Sequence, residues 1–376
     1  QGNFLVSNYS SHILTGFIGY FLAFFISYIP LERLKKYLLP LYFGTLISLV
    51  LIYFVGISVS GSQRWLSLGI LSFQPSEVAK LSTVLTLALV LDNKIIATIR
   101  DLVLPLLIVI CPWLLIFFQP DLGTSLVLLV LTGVMLYWSQ MPMEWILILV
   151  FLFITSIFYL TLPTLLIFWI PFMGYLAYRS SKKKIIFSVL VISFHLLVAK
   201  LTPIIWQYGL KDYQKDRLVL FLDPNRDPLG GGYHLLQSKI AIGSGGLLGN
   251  GLLQGKLTNL QFIPEQHTDF IFSALGEELG FLGCIIVLFL FYFLIKKLID
   301  IAKNARSDFE SLIVIGIAAT FLFQIIINLF MTIGLGPVTG IPLPFMSYGR
   351  TALVINFISI GFVLSIFKRS RSLRDS

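Results

Sequence analysis

The chain has 376 residues, 57% of them hydrophobic and 12% charged, about half the charge of a soluble globular protein. So little charge cannot cover a water-exposed surface of this size, which excludes a cytosolic enzyme, a disordered chain and a disulfide-stapled secreted domain. The net charge of +9 would suit a nucleic-acid binder only if its basic residues formed one patch, and they sit instead in short segments between apolar runs.

A membrane-spanning helix needs about 20 mostly apolar residues. In chain order the pattern predicts helices at 12–29, 37–57, 76–92, 102–118, 122–138, 144–160, 163–178, 185–203, 270–295, 311–335 and 351–367. Residues 37–63, 122–143 and 311–349 carry no charge for 27, 22 and 39 residues. The 34 uncharged residues of 145–178 are interrupted by Pro163, which favours two short helices over one long one. Barrel strands would alternate polar with apolar over about 10 residues, and nothing here does so over that length. The expected fold is all-α: a polytopic membrane bundle of about 11 spans, one transmembrane domain over 1–376, with a large extracytoplasmic loop at 204–268. Aromatic and aliphatic residues throughout that loop (Trp206, Tyr213, Phe221, Tyr233, Phe262) argue for order.

Threading the helices back and forth places 31–37, 93–101, 139–143, 179–184, 296–310 and 368–376 on one side, with 17 of the 27 Lys and Arg residues. By the positive-inside rule that side is cytoplasmic, and the C-terminus with it. Cys111 and Cys284 lie in separate apolar runs and the four histidines are scattered, so neither a disulfide framework nor a zinc site is encoded. The chain starts at Gln1 without an initiator Met, as a fragment lacking upstream sequence would.

The sparse charges of the opposite face then carry the chemistry. Phe73-Gln74-Pro75-Ser76-Glu77 and Phe118-Gln119-Pro120-Asp121 echo each other 45 residues apart. Each reads as a capped helix start, with an acidic group complementing the helix dipole. Glu77 and Lys80 share one helix face, and ionisable residues within a span are costly and usually functional. With Arg64 and Trp65 just upstream, the expectation is one polar cavity framed by Arg64, Glu77, Lys80, Gln119 and Asp121. The glycine-rich run 243–256 fails as a phosphate loop, because Asn250 and Leu257 stand where Gly and Ser or Thr are required; tight turns or close packing explain it better. Thr268 and Asp269 suit a helix N-cap, yet Asp269 sits beside His267 where loop meets hydrocarbon, and desolvation there would raise its pKa towards general-base work. Glu277 and Glu278 make an acidic pair inside a span, either facing a cavity or partly protonated. Three prolines and three glycines between 334 and 346 preclude a regular helix before Ser347, leaving an irregular, partly re-entrant segment.

Gln63-Arg64-Trp65, Phe73-Gln74-Pro75-Ser76-Glu77, Gln119-Pro120-Asp121-Leu122-Gly123-Thr124, Gly231-Gly232-Tyr233-His234, Pro264-Glu265-Gln266-His267-Thr268-Asp269-Phe270 and Pro342-Leu343-Pro344-Phe345-Met346-Ser347-Tyr348-Gly349 together resemble the SEDS family (shape, elongation, division and sporulation), its elongation branch more than its division branch. The resemblance spans nearly the whole chain in order. It implies a peptidoglycan glycosyltransferase of the cytoplasmic (inner) membrane that polymerises lipid II and works with a class B penicillin-binding protein, a transpeptidase, among other elongation-complex membrane proteins, without nucleic acid. It implies that Asp269 is catalytic and that Glu77 and Lys80 are the family's membrane-cavity charges. Substrate contacts are expected from Arg64, Trp65, Glu77, Lys80, Gln119, Asp121, Arg217, Lys239, Glu265, His267, Ser347 and Arg350. The last replaces a glycine of the family's usual pattern, where an extra cation either touches pyrophosphate or snorkels to water. The chain lacks the family's first helix and has four helices, not two, between Gln119 and the long loop. No residue cluster specifies a metal; a divalent cation, Mg or Mn, is the one cofactor the chemistry would accommodate. Two competing readings are a lipid II flippase and a non-catalytic scaffold for the transpeptidase. Transport would be favoured by charges lining a path to both faces, whereas the functional-looking charges gather at one.

Overall fold

A computed structural model of the chain describes residues 2–59, 62–68, 71–96, 98–180, 184–210, 212–222, 231–263 and 265–372. In order come α1 (Gly2–Ile26), α2 (Leu31–Val55), strands β1 (Ile57–Val59), β2 (Ser62–Leu68) and β3 (Leu71–Phe73), α3 (Pro75–Leu91), α4 (Ile99–Phe118), α5 (Leu122–Trp138), α6 (Met143–Thr161), α7 (Leu166–Ser180), α8 (Lys184–Ile204), α9 (Asp212–Leu222), α10 (Gly231–Ser244), α11 (Lys256–Asn259), α12 (Ile271–Lys303), α13 (Asp308–Ile333) and α14 (Arg350–Ser372). All eleven expected helices are present. Among the described residues, seven helices are long and apolar enough to cross a membrane: α2, α4, α6, α8 with the π turn after it, α12, α13 and α14. The chain is a multi-pass membrane protein.

Local chemistry sets most boundaries. Pro75 opens α3 at its first turn, where its missing N–H costs nothing. Thr98 and Asp101 form a capping box on α4, and the Asp121 carboxylate caps α5 through the Thr124 N–H at 3.1 Å. A 3₁₀ turn at Pro163–Leu165 separates α6 from α7. Two features differ from expectation. The helix placed at 270–295 continues to Lys303, because exposed Lys296 and Lys297 ride on its surface, Lys297 lying 5.4 Å from the Phe293 ring. Between α2 and α3 the chain forms an antiparallel three-stranded sheet in the order β1-β2-β3, pairing Ile57 with Trp65 and Leu66 with Phe73. The loop expected to be ordered holds α9, α10 and α11.

At the centre α13 is buried along most of its length, packed by α3, α5, α10 and α12. Lipid gives little hydrophobic drive between helices, so close packing holds them together. Gly316 is an instance: a Cβ there would lie 2.7 Å from Val84 and 2.8 Å from Met135. At the edge α1 lies along α14, while α6, α7 and α8 pack on one another and meet the rest chiefly through α5.

The helix α12 breaks at Gly280 (φ 65°, ψ −164°), and the run 245–251 repairs the break. Asn250 and Gly251 N–H donate to the Glu277 and Glu278 carbonyls at 3.0 Å, and Phe281 and Leu282 N–H donate to those of Gly246 and Leu247 at 2.9 and 3.2 Å. Glu277 itself is 1% exposed. Its side chain accepts from Leu257 N–H at 2.8 Å, Thr258 N–H at 2.9 Å and the Thr258 hydroxyl at 2.6 Å, because it caps the short α11.

Gly249→Ala is expected to lower the thermal unfolding midpoint in detergent. Its φ of +82° and the Glu278 carbonyl that a Cβ would strike make the position costly, by about 1–3 kcal/mol for the backbone alone. Gly243→Ala, with open space around its Cβ, should leave the midpoint unchanged or higher.

Candidate active site

The site is assembled by two irregular segments, 265–269 before α12 and 334–349 between α13 and α14. Fully buried Asn328 on α13 joins them, its amide donating to the Asp269 carbonyl at 2.9 Å and the Ile341 carbonyl at 2.8 Å. Ser347 adds a second clip: its hydroxyl donates to the Thr268 carbonyl at 2.5 Å and accepts from Leu343 N–H at 2.8 Å. Tyr348 N–H donates to the His267 carbonyl at 2.7 Å. The second segment also abuts the start of α5, where a Cβ on Gly123 would lie 2.7 Å from Ile341 and 3.0 Å from the Thr339 carbonyl. Neither Thr268 nor Asp269 caps α12. The N-cap residue is Phe270, without a side-chain bond, and the Thr268 hydroxyl donates to Glu265.

Asp269 is thus left free of a capping role, and its surroundings are unusual. Burial pushes its carboxyl up to about 6, helped by the negative charges of Glu265 and Asp121 and opposed by Arg217 and Arg64. A Cβ on Gly340 would lie 3.5 Å from an Asp269 carboxylate oxygen and 3.6 Å from an Arg217 guanidinium nitrogen, so both side chains converge on that glycine. Arg64 reaches over from β2, donating to the Pro120 carbonyl and standing 3.7 Å from Asp121. His234, on α10, stacks on Phe270 with ring centroids 6.2 Å apart. Its pKa is held below the ordinary value by burial, with Glu265 raising and Arg217 lowering it, so near neutral pH it is an uncharged imidazole.

The structure therefore brings together Arg64, Asp121, Arg217, Glu265 and Asp269, with exposed His267 on the same loop. It does not bring Glu77 and Lys80 into this group. They pair with each other at 2.9 Å, 3% and 4% exposed, and neither is among the charges acting on Asp269. One Glu77 carboxylate oxygen takes the Lys80 ammonium and the other is buried without a hydrogen-bond partner, so the pair bears a desolvation cost that its mutual attraction only partly offsets. Gln119 is also buried and donates to the Leu49 carbonyl at 2.7 Å. Of the five residues expected around one cavity, Arg64 stands beside Asp121, while Glu77, Lys80 and Gln119 are buried with partners inside the protein. Ser347 spends its hydroxyl within the protein. Lys239 is exposed and lies against Gly334 at the C-terminal end of α13, where a cation complements the helix dipole. Trp65 is partly buried in β2, and Arg350 is the partly buried first residue of α14.

Sequence reading missed Asn328 and His234 as site residues. A lone Asn in a long apolar span was the available signal for the first; for the second it was the Gly231-Gly232-Tyr233-His234 motif. Among the described residues, no group of three or more His, Cys, Asp and Glu side chains could hold a metal ion.

The chain matches the family model of the FtsW/RodA/SpoVE cell cycle proteins over residues 3–173 and 162–372, and it belongs to that family. The two stretches overlap at the junction of α6 and α7. It is 36% identical over 337 residues to the peptidoglycan glycosyltransferase MrdB of Escherichia coli (strain K12), covering 89% of this chain and 79% of that protein. It is 31% identical over 397 residues to the peptidoglycan glycosyltransferase RodA of Treponema pallidum (strain Nichols), covering 98% and 92%. Among solved structures, a chain from a study of polymerization and crosslinking by a peptidoglycan synthase complex superposes with a TM-score of 0.70 at 28% identity, covering 97% of this chain and 90% of that one. The Thermus thermophilus rod shape determining protein RodA superposes with a TM-score of 0.61 at 25% identity, covering 95% and 86%.

Asn328→Leu removes the donor for two carbonyls in a buried site. Each unpaired group costs about 1–3 kcal/mol, so a lower unfolding midpoint in detergent is expected. Asn328→Gln, which keeps the donors, should lose less.

Proposed function

We propose that the chain is an inverting peptidoglycan glycosyltransferase that polymerises lipid II at the outer face of the cytoplasmic membrane during cell elongation. Family membership and the names of the relatives support the class of reaction. The observation that carries the chemistry is Asp269, a desolvated carboxylate beside two arginines on a loop pinned from both sides.

Asp269 is read as the general base. The 4-hydroxyl oxygen of one lipid-linked saccharide attacks the anomeric carbon of another, Asp269 takes the hydroxyl proton, and the bond from that carbon to pyrophosphate breaks. The leaving undecaprenyl pyrophosphate carries the displaced electrons as negative charge, which Arg64 and Arg217 stabilise, the electrostatic contribution that often dominates such reactions. Lys80 and Lys239 were also expected among the substrate contacts. The pairing of Lys80 with Glu77 and the position of Lys239 over α13 favour structural roles for both. A carboxyl held near 6 loses its proton just below neutral pH, where a base is most effective.

The remaining assignments complete the reading. The chain is one transmembrane domain, the face holding 204–268 and Asp269 is extracytoplasmic, the C-terminus is cytoplasmic, and a class B penicillin-binding protein is the partner that crosslinks the product. The polar group around Asp269 lies at one face, which supports polymerisation over a transport path through the bundle.

The test is to reconstitute the protein with its transpeptidase partner and lipid II and to measure glycan polymer. Asp269→Asn is expected to reduce the rate by about 10²–10⁴, the usual worth of a general base; polymer formed at the wild-type rate by this variant would end the assignment. Lipid II translocation without polymer under every condition would favour the flippase. With the intact chain the rate should rise with pH through about 6, as Asp269 becomes the carboxylate. Arg217→Gln should move that rise to higher pH, because Arg217 lowers the Asp269 pKa.

A further inference from the structure

The run 245–254, between α10 and α11, hangs on the break in α12. The break lies about 14 Å along α12 from its first residue, at 1.5 Å of rise per residue, and α12 is one of the candidate spans. Irregular backbone at such a depth is tolerated only where its polar groups are paired, and the four hydrogen bonds between this run and 277–282 supply that pairing. Glu277 holds the far end through α11. The segment is therefore held firmly by its backbone while its side chains point away. Leu247, Leu248, Leu252 and Leu253 are 71%, 78%, 69% and 80% exposed. Leu253 also holds φ +60°, a conformation that a bulky side chain rarely adopts, with its side chain turned outward. Next to them Phe281, Leu282 and Ile286 of α12 are 56%, 51% and 61% exposed. Phe281 and Leu282 are bonded directly to the run, so the leucines extend the apolar outer surface of a span.

We infer that 245–254 is a leucine wedge seated among the acyl chains of the membrane leaflet on the Asp269 side, with the lipid as its partner. Three observations select lipid as the occupant. The wedge meets α12 more than two turns inside a candidate span, its apolar surface continues that of the span, and exposed Lys256 follows it, placed to reach the headgroups. The wedge anchors the outer segment carrying α10 and α11, and through Glu277 it couples that segment to the helix that Asp269 precedes.

The test uses the full chain with Cys111→Ser and Cys284→Ser, reconstituted without any partner in vesicles of phosphatidylcholine and phosphatidylglycerol. Leu248→Cys and Leu253→Cys are each labelled with bimane and compared with Asp212→Cys, whose side chain is 97% exposed on α9. At 248 and 253, quenching by nitroxide on lipid acyl chains is expected to exceed quenching by aqueous iodide several-fold, with the reverse at 212. Iodide quenching as strong at 248 and 253 as at 212 would overturn the proposal. Labels open to iodide that become shielded only when the penicillin-binding protein is added would assign the surface to a protein and equally overturn it. Should the labelled variants prove misfolded, acyl-chain diazirine lipid is photoactivated around the unlabelled protein. Carbene adducts on residues 247–253 are expected, and their absence alongside adducts on Phe281 and Ile286 overturns the wedge.

Discussion

Asn328 spends the two protons of one side-chain amide on two carbonyls from segments about 70 residues apart in sequence, Asp269 and Ile341. Neither segment has helical or sheet hydrogen bonds to define it. Each would otherwise present unpaired backbone groups inside the protein, which is costly. Asn328 stands near the end of α13, the most enclosed of the long helices, so the pin is attached to the most rigid part of the bundle. The clip from Ser347 to Thr268 and the bond from Tyr348 to His267 repeat the connection on the other side of Asp269. The position of the Asp269 carboxylate is thereby tied to the bundle core, the preorganisation that the proposed general-base role would require.

Charge is placed with the same economy. The Asp269 carboxyl is desolvated and pressed by two acidic neighbours, yet two arginines keep its titration within reach of neutral pH. Removing charge compensation from such a site costs more than at a surface, since the surrounding protein screens poorly. Glu77 and Lys80 show the opposite use of buried charge. They neutralise each other on one turn of α3, at full contact with the packed interior, and hold a polar point inside the helix array. Both arrangements place ionisable groups in a membrane protein: the first gathers four charged neighbours around one carboxyl, the second pairs two charges with each other.

Much of this was legible in the residues. Uninterrupted apolar runs marked eleven of the helices, though not α9, α10 and α11, and Pro163 marked the division of α6 from α7. The cap at Asp121 and the irregular path before Ser347 followed from local chemistry alone. Less legible were contacts between distant segments. Gly245, Gly249 and Gly280 fall in different parts of the sequence, and only together do they allow two backbones to approach closely enough to repair a broken helix. Glu277 and Glu278 looked like an acidic pair because they are adjacent in sequence; in space, Glu277 serves α11. The sheet between α2 and α3 escaped notice because strands of 3 and 7 residues give too short a pattern to read.

By itself the sequence determined the solvent, the helices and the family, since each depends on composition, on periodicity or on motifs of a few contiguous residues. The membrane imposes its apolar runs directly on the chain, and caps and turns act within four or five positions. Only the tertiary structure decided which polar residues are committed to structure and which remain available for chemistry. Hydrogen-bond partners are set by proximity in space: Ser347, Gln119 and Lys80 find theirs within the fold, Asn328 holds Asp269 against the segment that carries Gly340, and Arg217 reaches the same glycine from α9.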